Sequence, residues 1–337
     1  MIDTETTPEF GRRAFLGGLF TAAAVAVGEV HGQGTKAEQM PKLHTNPLVY
    51  QFKIGDFDAW SISDGHLLLR GELDLMWPPE AHPEMKDWLV SHGERTDGIP
   101  LYVNILVVRI GKEVLLFDAG FGETGNANMG WLQDGLRIAG IAAGEVTAGF
   151  LSHAHSDHLA GFVMGGKPAF PNAAFYYLSE EYDFWHAAEP DFSKTKRKRD
   201  ELPKMIKNVR SQFEILKGVS KPVKPGTQFF NGAVTIEAAP GHTAGHAIFR
   251  IKSGAESLLH FVDLSHHHGF MFFNPEWYIA FDHDPLLGIE TRKRVFAQAA
   301  AERTRCFGFH VPWPGIGHIL PQGNGYLWHA ERWSWGS

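Results

Sequence analysis

Apolar and polar positions alternate in short runs along most of the chain, and glycine, proline and aspartate punctuate the runs. Residues 48–54 and 59–63 predict two strands across a Gly55-Asp56 hairpin turn. Residues 101–110 are apolar and β-branched, Gly111-Lys112 makes a turn, and residues 113–117 return as a strand that ends in the tight turn Asp118-Ala119-Gly120. A helix is predicted over 129–143, a short buried strand over 146–152 and another strand over 173–178. Ser179 is expected to cap a helix through residue 188, and the period of 191–212 predicts a further helix. Strands follow at 234–238, 246–251 and 257–262, with turns at Pro240-Gly241 and Ser253-Gly254. A last helix over 289–303 precedes a strand over 306–309. Helices thus alternate with antiparallel hairpins in both halves, which predicts an α/β (α+β) fold with two mixed sheets flanked by helices.

The beginning of the chain breaks this pattern. Arg12-Arg13 precedes an apolar, Ala- and Gly-rich stretch over 15–28 that is short for a bilayer span. Residues 1–34 are expected to be a twin-arginine-type export signal and the start of a linker, although Gly11 stands where Ser or Thr usually precedes the arginine pair. A periplasmic or secreted protein follows from that expectation, with residues 45–337 as one hydrolase domain and no membrane attachment after signal removal.

Composition narrows the classes. Hydrophobic residues make up 44% and charged residues 20%, enough for a sizeable core. The net charge of -7 argues against nucleic acid as a partner, and the basic run Lys194, Lys196, Arg197, Lys198, Arg199 reads as a solvated helix face. Cys306 is the one cysteine, so neither an internal disulfide nor a cysteine-rich metal site can form. There are 19 histidines, and their spacing decides what they mean.

The segment Ser152-His153-Ala154-His155-Ser156-Asp157-His158 follows an apolar run and packs four metal-competent side chains into six residues. In extended backbone His153 and His155 point the same way, and a turn into helix would swing Asp157 and His158 toward a neighbouring position. Imidazole with carboxylate suits zinc or another divalent ion. Further donors stand after three later strands: His242 in Pro240-Gly241-His242-Thr243, Asp263 after the 257–262 run, and His310 after the 306–309 run.

This set resembles the metallo-β-lactamase superfamily, whose His-x-His-x-Asp-His motif matches residues 153–158 in full. The Asp118 turn, the Gly-His-Thr turn at 241–243, Asp263 and His310 fall in that family's order. The resemblance implies an αββα sandwich with two zinc ions per chain at one edge. It assigns His153, His155 and His242 to the first ion, Asp157, His158 and His310 to the second, and Asp263 to both. Asp118 would orient a ligand or the turn itself.

Within the superfamily, dedicated β-lactamases generally place a cysteine at the second ion, whereas here Asp263 takes the corresponding place. The run from His310 to Ile319, Gly325-Tyr326, Ser63-Asp64-Gly65 and Phe184-Trp185 are similar to the branch of methyl parathion hydrolases and acyl-homoserine lactonases. That resemblance implies hydrolysis of a small-molecule lactone or ester by a hydroxide held between the ions, with Asp157 passing a proton to the leaving group. Organophosphate triester hydrolysis is the neighbouring alternative. A mononuclear iron persulfide dioxygenase is a more distant one, disfavoured by the intact second ligand set. Relatives are often dimers, and a homodimer is expected. Trp131, Trp185, Phe270, Phe272 and Phe273 are expected to line an apolar substrate pocket. Of His266-His267-His268, one histidine is expected to touch substrate or a carboxylate while the others face solvent.

Overall fold

Phe57–Arg70 and Gly98–Ile110 are long, apolar strands that pair antiparallel through a bulge at Ser63/Gly65. They are the second and third strands of a seven-stranded sheet in a computed structural model that describes residues 48–332. The expected export signal at 1–34 lies outside the described residues. Val49–Ile54 edges this sheet on one side, and Glu113–Phe117, Val146–Phe150, Ala174–Leu178 and Ser220–Val223 extend it on the other. These last four run parallel to one another. Parallel strands are covered on both faces, and the run Val114–Phe117 is accordingly buried throughout.

A second seven-stranded sheet takes the order Gln228–Phe229, Val234–Ala238, Ala247–Ser253, Glu256–Val262, Arg305–Gly308, Ile316–Gln322, Gly325–Ala330. The two sheets share one apolar core. Phe117 stacks on Phe150 with ring centres 5.1 Å apart, and Phe249 of the other sheet meets Phe117 edge-on at 5.1 Å. Helix Pro285–Glu302 buries Val295, Phe296 and Ala299 against the outer face of the second sheet. Helix Leu202–Leu216 lays Phe213 on Phe175 and Tyr177 of the first. The layers are helix, sheet, sheet, helix, as the family resemblance implies.

Several elements differ from the sequence expectation. The strand expected to stop at Ser63 continues to Arg70, so Ser63-Asp64-Gly65 is a bulge inside a strand. The helix expected over 129–143 is only Leu132–Ile138, because Ile141 is buried after the backbone has left the helix, prolonging the apolar spacing. Residues 191–201 are turns and loop. The helix begins at Leu202 because Pro203 fits a first helical turn and would break the middle of a helix over 191–212. Ser179 opens the helix Ser179–His186 without capping it, since its hydroxyl bonds to the Val223 carbonyl. The helix His82–Ser91 and the final hairpin over 316–330 were not anticipated. Among the described residues no helix is long and apolar enough to cross a membrane.

Candidate metal centre

Five strands end at one edge of the sandwich, and each delivers a polar side chain there. Glu113–Phe117 leads to Asp118, Val146–Phe150 to the 153–158 loop, Val234–Ala238 to His242, Glu256–Val262 to Asp263, and Arg305–Gly308 to His310. Local backbone is bent to do this. Asp118 has φ 60°, and Val262, just before Asp263, has φ 50° beside a register shift in its strand. A β-branched residue in that region is strained, and such strain persists only where the surroundings impose it.

The structure brings all seven proposed ligands into two adjoining buried groups: His153, His155, His242 with Asp263, and Asp157, His158, His310. In the first group His153 Nε2, His155 Nδ1 and His242 Nε2 form a triangle with edges of 3.0, 2.9 and 3.1 Å. Each nitrogen either carries a proton or offers a lone pair, so at least one edge of a triangle must join two of the same kind. A cation that accepts all three lone pairs removes the conflict. Nitrogens sharing one zinc at roughly 2.0–2.1 Å lie about 3.3 Å apart, close to the observed edges. The donor set and its spacing therefore fit a divalent ion.

Asp263 stands between the groups. Its Oδ2 is 3.3 Å from His242 Nε2 and 3.2 Å from His310 Nε2, and its Oδ1 is 3.4 Å from His158 Nε2. Asp157 Oδ2 faces His310 Nε2 at 3.4 Å and His158 Nε2 at 3.6 Å. Buried His158 Nε2, His310 Nε2 and Asp263 Oδ1 have no hydrogen-bond partner, an arrangement costly for a protein unless another group completes it.

The opposite edge of each ring is anchored. His158 Nδ1 donates to Asp118 Oδ2 at 2.8 Å, His242 Nδ1 to Asp282 Oδ1 at 2.7 Å, and His310 Nδ1 to the Tyr102 carbonyl at 2.6 Å. These contacts place the proton on Nδ1 and turn the Nε2 lone pair toward the centre. Asp118 also accepts from the Ser152 amide and hydroxyl at 2.8 and 2.7 Å, so it orients both a ligand and the loop that follows.

Glu181, which the sequence did not single out, ties two ligand loops together. Its Oε1 accepts from the Ala154 amide at 2.8 Å and Trp185 Nε1 at 2.7 Å. Its Oε2 accepts from the Gly245 amide at 2.9 Å and the Thr243 hydroxyl at 2.6 Å. Burial raises its pKa and the four donors pull the other way. Since the two amides and the indole can only donate, the geometry is that of a carboxylate. A Cβ on Gly245 would come within 2.1 Å of the Glu181 amide nitrogen, so the loop can approach only with glycine there.

Electrostatics divide the groups. Burial holds His153, His155 and His242 well below the ordinary imidazole pKa, with neighbouring positive groups adding to it, so these rings are neutral as metal ligands must be. Burial also pushes His158 and His310 down, but for each the charges of Asp263 and Asp157 overcome it, joined at His158 by Asp118, and both end above the ordinary value. Burial raises Asp263 in turn, yet the histidines around it hold it well below the usual carboxylate range.

A cavity of about 500 Å³ opens onto Asp157, His155, Asp263 and His310. His266 lines it and meets Asp263 Oδ2 at 3.1 Å, while the aromatic residues expected to form its walls lie elsewhere. Trp131 sits at the start of helix Leu132–Ile138 and bonds the Ala127 carbonyl. Trp185 is buried behind His155 as a donor to Glu181. Phe270 packs on Trp277, Phe272 stacks on Phe296, and Phe273 is 43% exposed beside a different cavity. Core packing claimed Trp185, Phe270 and Phe272. Leu67, Leu101, Phe121, Phe281, Met205 and Val209 supply the apolar wall instead. Helical spacing of Met205, Asn208, Val209 and Gln212 was readable in the sequence, but nothing there showed which way that face would point. The other two histidines of the triple do not face solvent freely: His267 is buried and caps the turn at Gly269 and Phe270, and His268 bonds Glu94 at 3.0 Å.

Residues 98–303 match the family model described as the metallo-beta-lactamase superfamily. The chain belongs to the metallo-β-lactamase superfamily. Among solved structures it is similar to AidC, a dizinc quorum-quenching lactonase determined with its product N-hexanoyl-L-homoserine. The identity is 29% and the TM-score 0.82, over 85% of this chain and 98% of that one. The hydrolase AbOPH of the same superfamily shares 26% identity at a TM-score of 0.78, again over 85% and 98%. A probable metal-dependent hydrolase from Staphylococcus aureus, 17% identical with a TM-score of 0.65 over 84% and 99%, shares the fold. No curated protein sequence matches the chain. With this fold and donor set, the superfamily member is a metal-dependent hydrolase.

Proposed function

We propose that this superfamily member is a dinuclear zinc hydrolase acting on lactones or related esters. The observation that carries the reading is the pair of adjoining donor groups sharing Asp263 at the floor of a cavity with an apolar wall. The likeness to a dizinc lactonase over nearly the whole of that chain supports it.

His153, His155 and His242 would hold one ion, Asp157, His158 and His310 the other, and Asp263 both. Such a pair supplies, when bound, activated water near neutral pH and a Lewis acid for the substrate carbonyl oxygen. The protein's own residues do the rest. Asp118, Asp282 and the Tyr102 carbonyl keep the rings aimed. The apolar wall of Leu67, Leu101, Phe121 and Phe281 receives an aliphatic or ring portion of the substrate and limits bulk water. Asp157 is the most exposed of the seven ligands at 9%, and its Oδ2 is turned to His158 and His310. Asp157 would carry a proton to the leaving alkoxide, help that a lactone needs and an aryl phosphotriester does not.

The test is kcat/KM of the zinc-loaded protein on an N-acyl homoserine lactone and on an aryl phosphotriester, measured side by side with iron and zinc content. A clear preference for the lactone in a zinc protein is the expected result. A preference for the triester, or an iron protein that takes up oxygen, would overturn the substrate class.

A further inference from the structure

The basic run at 194–199 was expected on a solvated helix face, yet one member turns inward. Lys194 pairs with Asp284 and Lys196 lies over the Trp77 ring at 4.9 Å, both at the surface. Arg197 instead lines the cavity, its guanidinium stacked 4.3 Å from the centre of the Phe281 ring. Among the described residues it makes no close ion pair, the charges of Asp157, Glu201 and Asp282 reach it only at longer range, and its Nε is buried without a hydrogen-bond partner. A partly buried guanidinium without a direct carboxylate partner keeps donors free for another acceptor.

Among the described residues, the side chain that its guanidinium meets at hydrogen-bonding distance belongs to a proposed metal ligand. Arg197 Nη2 lies 3.2 Å from His155 Nε2. His155 turns Nδ1 into the nitrogen triangle, so as a neutral ligand it carries its proton on Nε2. Nε2–H and Nη2–H are then two donors side by side at the cavity wall, and two donors that close want a common acceptor. Because Nε2 is across the ring from Nδ1, this acceptor cannot be the carbonyl oxygen polarised at the metal centre.

Resting on the lactone or ester reading above, we propose that Arg197 and His155 Nε2–H form a receptor for a carbonyl oxygen on a substituent next to the scissile group. An α-acylamino lactone carries such an oxygen, and its alkyl tail matches the apolar wall. Arg197 would then be a substrate-positioning residue that selects acylamino lactones over plain alkyl ones.

The experiment pairs an α-acylamino-γ-butyrolactone with an α-alkyl-γ-butyrolactone of equal chain length, and the two corresponding lactams as non-reacting ligands for calorimetry. Arg197→Met should lower the acylamino-to-alkyl ratio of kcat/KM by roughly 10- to 100-fold, the usual scale for losing a charge-assisted hydrogen bond. Arg197→Lys should recover part of it, and the lactam Kd ratio should move in parallel. A loss shared equally by both lactones, or no loss, would overturn the proposal, since a merely structural arginine moves both. If the wild-type protein turns over neither lactone, the lactonase reading has failed, and the lactams decide Arg197 separately. A preference for the acylamino lactam that Arg197→Met abolishes sustains the receptor, and equal binding of the two lactams refutes it.

Discussion

Glu181 contacts no proposed ligand side chain, yet it accepts hydrogen bonds from the loop that carries His153 and His155 and from the loop that carries His242. Replacing one carboxylate oxygen by an amide sets an NH2 group against the Ala154 amide and the Trp185 indole in one orientation and against the Gly245 amide in the other. Glu181→Gln is therefore expected to cost about 1–3 kcal/mol of stability and to weaken metal binding by roughly 10- to 100-fold. Chelator competition beside a thermal melt measures both, and unchanged metal affinity would show that the loops hold themselves. The metal ligands were legible because four fall within six residues and the others follow apolar strands. Glu181 was not, since its role depends on a helix docking against two distant loops and no spacing marks it. Cys306 shows the opposite case. Its single occurrence excluded an internal disulfide and a cysteine-rich metal site, and it is buried in the core with its thiol pushed up to about 12 by burial.

At the scale of elements, the turn bearing His242 is held by helix Pro285–Glu302. The His283 and Asp284 amides donate to the His242 and Gly241 carbonyls at 3.0 and 2.9 Å, and the Thr291 hydroxyl donates to Pro240 at 2.8 Å. Gly241, at φ 128°, approaches the helix so closely that a Cβ would lie 2.2 Å from the Gly288 nitrogen. Backbone cannot yield as a flexible side chain would. Gly241→Ala is thus expected to shift His242 and lower kcat/KM at least about tenfold, a 1 Å misplacement sufficing for more than that. A folded variant with full metal content and activity would contradict the view that this helix sets the turn. The Pro-Gly turn itself was visible in the sequence, but its partner was not, because close approach of two glycines leaves no periodic trace. The loop at 191–201 was misread for a related reason. Its charges mimic a helical face, and only Pro203 signalled where the helix could begin.

For the whole molecule, the apolar strands and their turns were enough to read two sheets flanked by helices, and the resemblance carried by the ligand motif implied a sandwich with a metal centre at one edge. Both sheets and their flanking helices are present in the structure. What the pattern could not supply was the substrate cavity, because aromatic residues serve core and pocket alike and their burial is decided by packing between layers. The same geometry makes the metal centre part of the architecture, since five strand ends of two sheets converge on buried, like-facing polar atoms. Stability and activity should therefore depend together on the ions.

The direct test is a zinc titration of the chelated protein, following calorimetric binding and hydrolysis of an N-acyl homoserine lactone in the same samples. Two equivalents bound per chain, with activity completed only as the second binds, is the predicted result. Saturation at one equivalent with full activity, or hydrolysis undiminished in the chelated protein, would contradict a two-metal centre built on Asp263.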